Sequence, residues 1–256
     1  DFNVDFGFNI SKNDNEVTDL GNLPLAVDQN GTKFIQVGAQ RHIIGKPVAS
    51  YYDLKVVKAD YDPVSKRAIN MMCDDGQGGT VACLTASGQP NAPRVYIGRP
   101  DPSLEGSFNS TVTLYRSWRL YAQFDFKGGN RILNNNDRAR CQVFNQCLAN
   151  LEPEKYDPVY VAQIQSSNIL RHWIYQDASF TRLREVSVGY TMAPRWAQLV
   201  GARTGSVTLS GRNLALWTSY GGTDPENFFT LEQFARTEQA QVPPLAQVMF
   251  SLSLTF

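Results

Sequence analysis

The sequence predicts an all-β fold, whose antiparallel strands belong to a large transmembrane β-barrel with long extracellular loops. In the final segment, VMFSLSLTF, Phe250, Leu252, Leu254 and Phe256 alternate with polar residues. The opening segment, DFNVDFGFNIS, alternates in the same way. Side chains on a strand alternate between two faces, and a membrane barrel needs one apolar row toward lipid. A surface strand of a soluble β-sandwich alternates identically, so the other strands and their connections must decide.

Alternation and turn residues predict about seven strands along the chain. After the first, Val48 to Lys58 is the weakest, because its alternation is imperfect. Trp118 to Phe126 is the clearest, with an apolar row opposite a row of Arg, Tyr, Gln and Asp. The other predicted strands are Ser107 to Tyr115, His172 to Tyr190, Gly205 to Leu214 and Val248 to Phe256.

The connections between these strands are of two kinds. Tyr115 to Trp118 is a tight turn, and the connection after Tyr190 is moderately short, with Pro194 placed to open one helical turn. Outer-membrane barrels have short periplasmic turns and long extracellular loops. With a periplasmic C-terminus, strand parity puts residues 12–47 on the periplasmic side, although that segment is not short. The same parity puts three long polar segments outside the cell: residues 59–106, 127–171 and 215–247.

Composition and motifs exclude several classes of function. Lys plus Arg and Asp plus Glu both number 24, so no basic surface for nucleic acid is expected. The sequence has no apolar run near the ~18–20 residues of a membrane-spanning helix. It contains no GxSxG, HExxH or phosphate-binding motif, and we therefore predict neither enzymatic activity nor a cofactor. Asp74 beside Asp75 fits a solvated loop better than a metal site.

Four cysteines lie in the long polar segments. Four cysteines allow three pairings, and proximity favours disulfides between Cys73 and Cys83 and between Cys141 and Cys147. Both bonds would staple outer loops in an oxidising compartment. A zinc site is the alternative, but CxxC spacing is absent and both histidines are distant in sequence.

Three motifs give the chain a family resemblance. HWIYQDASFTRLREVSVGYTMAP resembles the Asp-Ala-Ser-Phe-x-Arg-Leu-Lys strand, ending in Leu-Gly-Tyr-x-x-Pro, of SusC/RagA-type TonB-dependent outer-membrane transporters. Here Arg184 stands for the usual lysine and Val188 for the usual leucine. GSVTLSGRNLALWTSYGGTDPE is similar to the family's stretch ending in Tyr-x-Gly-x-Asp-Pro-Glu. VYIGRPDPSLEGSF resembles its Gly-Asn-Pro segment, with Leu104 in place of an aromatic residue.

The resemblance implies that residues 1–256 are the C-terminal part of a 22-stranded barrel in the bacterial outer membrane. A plug and a TonB box, the contact with the TonB complex, would lie in a missing N-terminal region. A SusD-like surface lipoprotein would act as the lid. About seven strands cannot close a bacterial barrel, which needs at least ~8, so we expect further strands on the same polypeptide or on a partner.

The implied function is TonB-dependent active import of an oligosaccharide or oligopeptide, in which this segment forms barrel wall and extracellular loops against outer-membrane lipid. Two alternatives remain open. The barrel could act as a scaffold or anchor of a surface complex, or the chain could be a soluble carbohydrate-binding β-sandwich. The last strand, with Phe250, Leu252, Leu254 and Phe256, is expected to be the signal for barrel assembly.

Several aromatic and charged residues have expected roles within this interpretation. Trp217 and Tyr220 are candidates for stacking on substrate, although an aromatic girdle at the membrane surface is the favoured explanation. Arg182 and Arg184 are expected to face the lumen, because arginine at the lipid midplane costs ~2–4 kcal/mol. Three further residues are expected in the girdle: Trp118, Trp173 and Tyr175. A role in ordering a loop is expected for Asp224 and Glu226.

Overall fold

The computed structural model describes residues 1–38, 40–166, 169–231 and 235–256. Most of the regular structure in these ranges is β-strand, as the sequence predicts. The strands are β1 (Phe2–Lys12), β2 (Ala26–Val27), β3 (Lys33–Val37), β4 (Gln40–His42), β5 (Ser50–Asp53), β6 (Val56–Asp62), β7 (Arg67–Asp74), β8 (Thr80–Ala82), β9 (Val95–Gly98), β10 (Leu104–Leu114), β11 (Trp118–Gly128), β12 (Arg131–Asn134), β13 (Tyr175–Asp177), β14 (Phe180–Thr191), β15 (Thr204–Thr218), β16 (Phe229–Leu231), β17 (Ala235–Glu238) and β18 (Gln247–Thr255). The α-helices are α1 (Asn135–Arg138), α2 (Leu148–Leu151), α3 (Pro158–Ile164) and α4 (Pro194–Gln198).

Six long strands form one antiparallel sheet in the order β1-β10-β11-β14-β15-β18. Each strand therefore pairs with the next long strand along the chain. The connections at one end of this sheet are short, and α4 lies in one of them, opened by Pro194 as predicted. The connections at the other end are residues 13–103, 129–179 and 219–246. We call the described residues of these three connections the loop layer.

This topology corrects the predicted strand order. Val48 to Lys58 contributes no strand to the main sheet, because β5 and β6 pair within two smaller sheets of the loop layer. The whole of β5 is buried, and a strand covered on both faces has no reason to alternate. Without that strand, residues 13–47 connect at the same end as the other long connections, so strand parity no longer predicts a periplasmic position for them.

The apolar face of the main sheet is open rather than packed against protein. Register pairs Phe8 with Phe108 and Phe108 with Phe124, so that the apolar residues of neighbouring strands lie side by side. Each of the six strands presents an exposed hydrophobic side chain on this face: Phe6, Phe108, Leu120, Val188, Leu209 and Phe250. Such a continuous apolar surface is what a lipid-facing barrel wall requires.

A β-bulge interrupts β14 at Arg184. The neighbouring strand β11 pairs Phe124 with Leu183 and Gln123 with Glu185, which leaves Arg184 without a partner in the register. The adjacent strand β15 compensates at Asn213, whose φ of 53° lies in the left-handed region. An uninterrupted strand would have put Arg182 in the row of Val186 and Val188. The bulge moves it to the opposite, polar face.

The loop layer contains the buried core of the described chain. Its three smaller sheets have the orders β2-β3-β4-β5-β9, β6-β7-β8 and β13-β12-β17-β16. One core cluster joins Leu54 and Cys83 of the first long connection to Ala162 and Leu170 of the second. Residues from different long connections thus bury one another, and the loop layer is one packed structure.

The predicted long strand from His172 to Tyr190 is divided in the structure. His172–Ile174 forms a 3₁₀-helix, β13 belongs to a small sheet of the loop layer, and only β14 lies in the main sheet. Ala178 and Phe180 are buried at the break. Among the described residues, no helix is long and apolar enough to cross a membrane.

Candidate site on the polar face of the sheet

An ion-pair cluster lies where the polar face of the main sheet meets the loop layer. Arg182 on β14 is opposite Asp125 on β11, and its side chain is only 3% exposed. Its Nη2 donates to both carboxylate oxygens of Asp224, at 2.7 and 2.6 Å. Its Nε lies 3.0 Å from a carboxylate oxygen of Glu226. The buried cation thus has two carboxylate partners from the third long connection.

Arg184 extends the same cluster because the bulge turns it toward the polar face. Its Nε donates to Asp125 Oδ2 at 2.6 Å, and its Nη2 donates to both oxygens of Glu226 at 3.1 and 2.9 Å. Its Nη1 donates to Asn213 Oδ1 at 3.3 Å. Glu226 therefore bridges the two arginines. Both guanidinium groups lie on the polar face, and a lumenal position in a closed barrel stays a prediction.

The turn at Asp224 holds this cluster in shape. The Glu226 amide donates to Asp224 Oδ1 at 2.8 Å, and the Asn227 amide donates to the Asp224 carbonyl at 3.0 Å. Asp224 is only 3% exposed. Removing one partner from a buried ion pair typically costs about 3–5 kcal/mol, because the remaining charge is left uncompensated. The cluster therefore fixes the third long connection to the sheet.

Trp217 lies on the apolar face, which corrects its assignment as a substrate-stacking residue. It pairs with Thr181 in the sheet register, and its ring stacks on Phe124 at 6.4 Å between centroids. The side chain is 54% exposed. An exposed tryptophan beside a lipid-facing phenylalanine is typical of an aromatic girdle, the alternative that the sequence favoured.

Tyr220 is buried and is therefore unsuited to stacking on a ligand. Its hydroxyl donates to Glu238 Oε2 at 2.6 Å, and burial followed by the Glu238 carboxylate raises the pKa of the phenol. The same carboxylate accepts the Thr223 amide at 3.1 Å. Tyr220 orders the third long connection, and the expectation of a substrate or girdle role is wrong.

Two other residues expected in the girdle lie in the loop layer. Tyr175 is 1% exposed and stacks on Tyr51, with 4.9 Å between the ring centroids. Trp173 packs edge to face against Tyr160, with 5.4 Å between the ring centroids. Both are core residues rather than girdle residues. Trp118, at the start of β11, is 44% exposed, and its ring centroid lies 4.8 Å from that of Tyr190.

The cysteines divide into one disulfide and two thiols. Cys73 and Cys83 form the predicted disulfide, which closes the β7–β8 hairpin. Cys141 and Cys147 are free and buried, so the second predicted bond is absent. Each thiol has another partner: Cys141 Sγ lies 3.8 Å from the Tyr160 hydroxyl, and Cys147 Sγ donates to Asn150 at 2.8 Å. Burial raises the pKa of Cys141 to about 12, which keeps it protonated.

The last strand has the alternation predicted for it. Leu252 pairs with Val207 and Leu254 pairs with Gly205 on the apolar face of β15. Phe250 and Leu252 are 68% and 54% exposed, and Phe256, just beyond β18, is 77% exposed. The exposed apolar row is available for lipid contact. Its role in assembly stays a prediction.

The described residues include no cluster of His, Cys, Asp and Glu that could hold a metal ion. Asp75 Oδ1 accepts the amides of Gln77 and Gly79 at 2.8 and 2.9 Å, and Asp74 lies 3.6 Å from Lys55 Nζ. Asp75 thus orders a turn, and Asp74 pairs with Lys55.

Comparison with known proteins gives a consistent set of relatives. No family model matches the chain. It is 25% identical over 242 residues to the TonB-dependent receptor P3 of Formosa agariphila, which covers 88% of this chain and 23% of that protein. It is 25% identical over 238 residues to the TonB-dependent receptor SusC of Bacteroides thetaiotaomicron, with coverage of 88% and 22%. The chain thus spans less than a quarter of these curated relatives.

Solved structures share the fold. The RagAB peptide importer in its open-open state superposes with a TM-score of 0.71 at 21% identity, covering all of this chain and 27% of the matched chain. The closed-closed state gives a TM-score of 0.70 with 28% of the matched chain covered. The antiparallel sheet is therefore part of the same kind of barrel.

Proposed function

We propose that this chain forms wall and extracellular loops of an active importer, because it is a segment of a SusC/RagA-type TonB-dependent receptor in the bacterial outer membrane. The observation that carries the proposal is the combination of an exposed apolar face across six antiparallel strands with one packed layer of long connections at a single end. A membrane wall with a structured outer layer has this arrangement.

The position of the segment in the whole receptor is part of the proposal. Among the described residues, β1 and β18 are the two edges of the main sheet and have one strand partner each. An open sheet edge within lipid leaves backbone groups without hydrogen-bond partners, each costing several kcal/mol. The main sheet therefore needs further strands elsewhere in the receptor. From the resemblance to the SusC/RagA family, we assign residues 1–256 to the C-terminal part of the barrel, with plug and TonB box elsewhere.

The proposed substrate is an oligopeptide or oligosaccharide, captured outside under a SusD-like lipoprotein that covers the loop layer. The neighbours with this fold are described as a peptide importer, which favours the oligopeptide. The lipoprotein partnership is proposed from the resemblance to the SusC/RagA family. We assign the described loop layer no catalytic role.

Uptake by cells that produce the full-length receptor tests the proposal. Fluorescent oligopeptides and oligosaccharides of defined length are supplied to cells with the intact receptor and to cells in which the TonB box is deleted. We expect uptake of one substrate class that is lost with the TonB box at unchanged receptor abundance. A scaffold or anchor predicts no receptor-dependent uptake and the loss of surface-complex components when the receptor is removed.

A further inference from the structure

A cationic cavity in the loop layer lies apart from the ion-pair cluster on the polar face. It is formed by the β3–β4 hairpin, by β5 and by residues that precede β9 and β13. Its volume is about 190 Å³, which exceeds the ~30 Å³ that one water molecule occupies in the liquid. The lining includes Arg41, Arg94, Arg171, Tyr52 and Tyr175.

The charges around this cavity are unequal. Arg94 Nη1 contacts Asp53, which is fully buried, and Arg171 Nε lies 3.6 Å from the other oxygen of that carboxylate. Arg41 Nη1 is 3.9 Å from Asp28, which is too long for a hydrogen bond. Three guanidinium groups therefore face two carboxylates. Burial, followed by the charge of Arg94, lowers the pKa of Arg41, as expected for a cation in a positive environment.

Three buried polar groups in the lining lack hydrogen-bond partners among the described residues. They are Arg41 Nη1, the Tyr52 hydroxyl and Arg171 Nε. The Arg41 side chain is 10% exposed, and its guanidinium lies 4.0 Å over the Phe34 ring, which holds the group in place. A buried donor left without a partner typically costs about 1–3 kcal/mol. These groups thus point to a ligand atom that accepts hydrogen bonds.

The other two arginines are the partly solvent-exposed cations of the lining. The side chains of Arg94 and Arg171 are 33% and 28% exposed, whereas that of Asp53 is fully buried beneath them. A ligand entering the cavity therefore meets guanidinium groups first. Guanidinium and hydroxyl donors match the two oxygens of a carboxylate, and such charge-assisted hydrogen bonds are stronger than neutral ones.

We infer that this cavity binds a carboxylate group of the substrate. Its assignment to a transported substrate rests on the proposed function. Two sources supply the same chemistry, a peptide with a free C-terminus or acidic side chain and an oligosaccharide with uronic acid units. Recognition of the charged end explains why the loop layer places three arginines around one small space.

Equilibrium binding to the purified full-length receptor tests the inference. The probes are tetra-alanine as free acid and as C-terminal amide, and tri-galacturonate as free acid and as methyl ester, titrated at 0.15 M salt. We expect at least tenfold tighter binding of the acid in one pair. The pair with the larger ratio identifies the source. Equal affinities within both pairs, or no binding of any probe, overturn the inference.

Substitutions assign the effect to the cavity. Arg41→Gln is expected to bring the affinity for the acid down to that for its neutral partner. Arg67→Gln, the same change at an exposed position of β7 outside the lining, is expected to leave the affinity within twofold. Equal effects of the two changes overturn the inference.

A second variant protects the test against misfolding. Tyr52→Phe keeps the ring and removes only the hydroxyl, and a three- to tenfold loss is expected for the acid alone. If Arg41→Gln does not assemble, as judged by heat-modifiable migration in gels, this variant decides by the same ratio. Binding needs no TonB complex, so lost import with retained acid-selective binding contradicts the importer and leaves the cavity assignment intact.

Discussion

Single residues determine how the third long connection is fixed to the barrel wall. Arg182 and Asp224 form a buried ion pair, whereas Arg212 and Glu185 form a pair whose side chains are 52% and 25% exposed. Buried and exposed ion pairs differ in energy because only the buried charges have lost their water. The two pairs thus provide a comparison in which one partner of each, Arg182 or Glu185, lies on β14.

Asp224→Ala is predicted to destabilise the full-length receptor by about 3–5 kcal/mol, since the buried Arg182 would lose one of its two carboxylate partners and keep only Glu226. Glu185→Ala should cost no more than about 1 kcal/mol. The midpoint temperature of heat-modifiable gel migration measures both. Equal shifts would show that the Arg182 pair contributes no more than a surface pair.

The chemistry of the candidate site could be predicted only in part from the sequence. Arg182 and Arg184 were expected away from lipid, and both lie on the polar face. Their partners Asp125 and Glu226 lie 59 and 42 residues away from Arg184, and no local pattern indicates such pairs. The cavity around Arg41 was missed for the same reason, because its arginines come from separate parts of the chain.

At the scale of elements, strands with regular alternation of apolar and polar residues were predicted well. Strands buried on both faces were not, because they lack this alternation. Strands β1, β10, β11, β15 and β18 coincide closely with predicted segments because each has one apolar and one polar face. Val48 to Lys58 was misassigned because β5 is buried throughout. The bulge at Arg184 could not be read from period-two alternation, since a bulge breaks that period.

The two faces of β14 provide a prediction about a single element. Val188 lies beside Leu120 and Leu209 on the apolar face, and Ser187 lies beside Tyr121 on the polar face. Val188→Arg should cost ~2–4 kcal/mol if the residue lies near the bilayer midplane, and Ser187→Arg should be tolerated. Heat-modifiable migration and abundance in the outer membrane measure the difference. The opposite order of effects would mean that the faces are exchanged.

At the scale of the whole molecule, the three long connections lie at one end of the sheet and the short turns lie at the other. The sequence predicts residues 12–47 at the end with the short turns, because it counts Val48 to Lys58 as an additional strand of the main sheet. Parity is a global property, so a single misassigned element moves every segment before it to the wrong side. The structure therefore changes the expected topology of the first long connection.

Tag accessibility in the full-length receptor tests this topology. Tags inserted at Gly31 and Gly78 should both be labelled on intact cells, because both glycines lie in the first long connection and a Cβ at either meets no atom within 4 Å. A tag at Arg116, in the tight turn between β10 and β11, should be labelled only after the outer membrane is permeabilised. If the tag at Gly31, like the tag at Arg116, is labelled only after the outer membrane is permeabilised, the first long connection lies on the periplasmic side.

The loop layer also determines the order in which the molecule can be completed. The Tyr51 hydroxyl hydrogen-bonds with the backbone of Arg236, 185 residues further along the chain. The strands of the wall, in contrast, each pair with the next long strand. Contacts between distant residues form slowly, because a long chain segment must first be closed into a loop. The wall can thus grow strand by strand, while its outer surface reaches its final packing only after the last long connection has crossed the membrane.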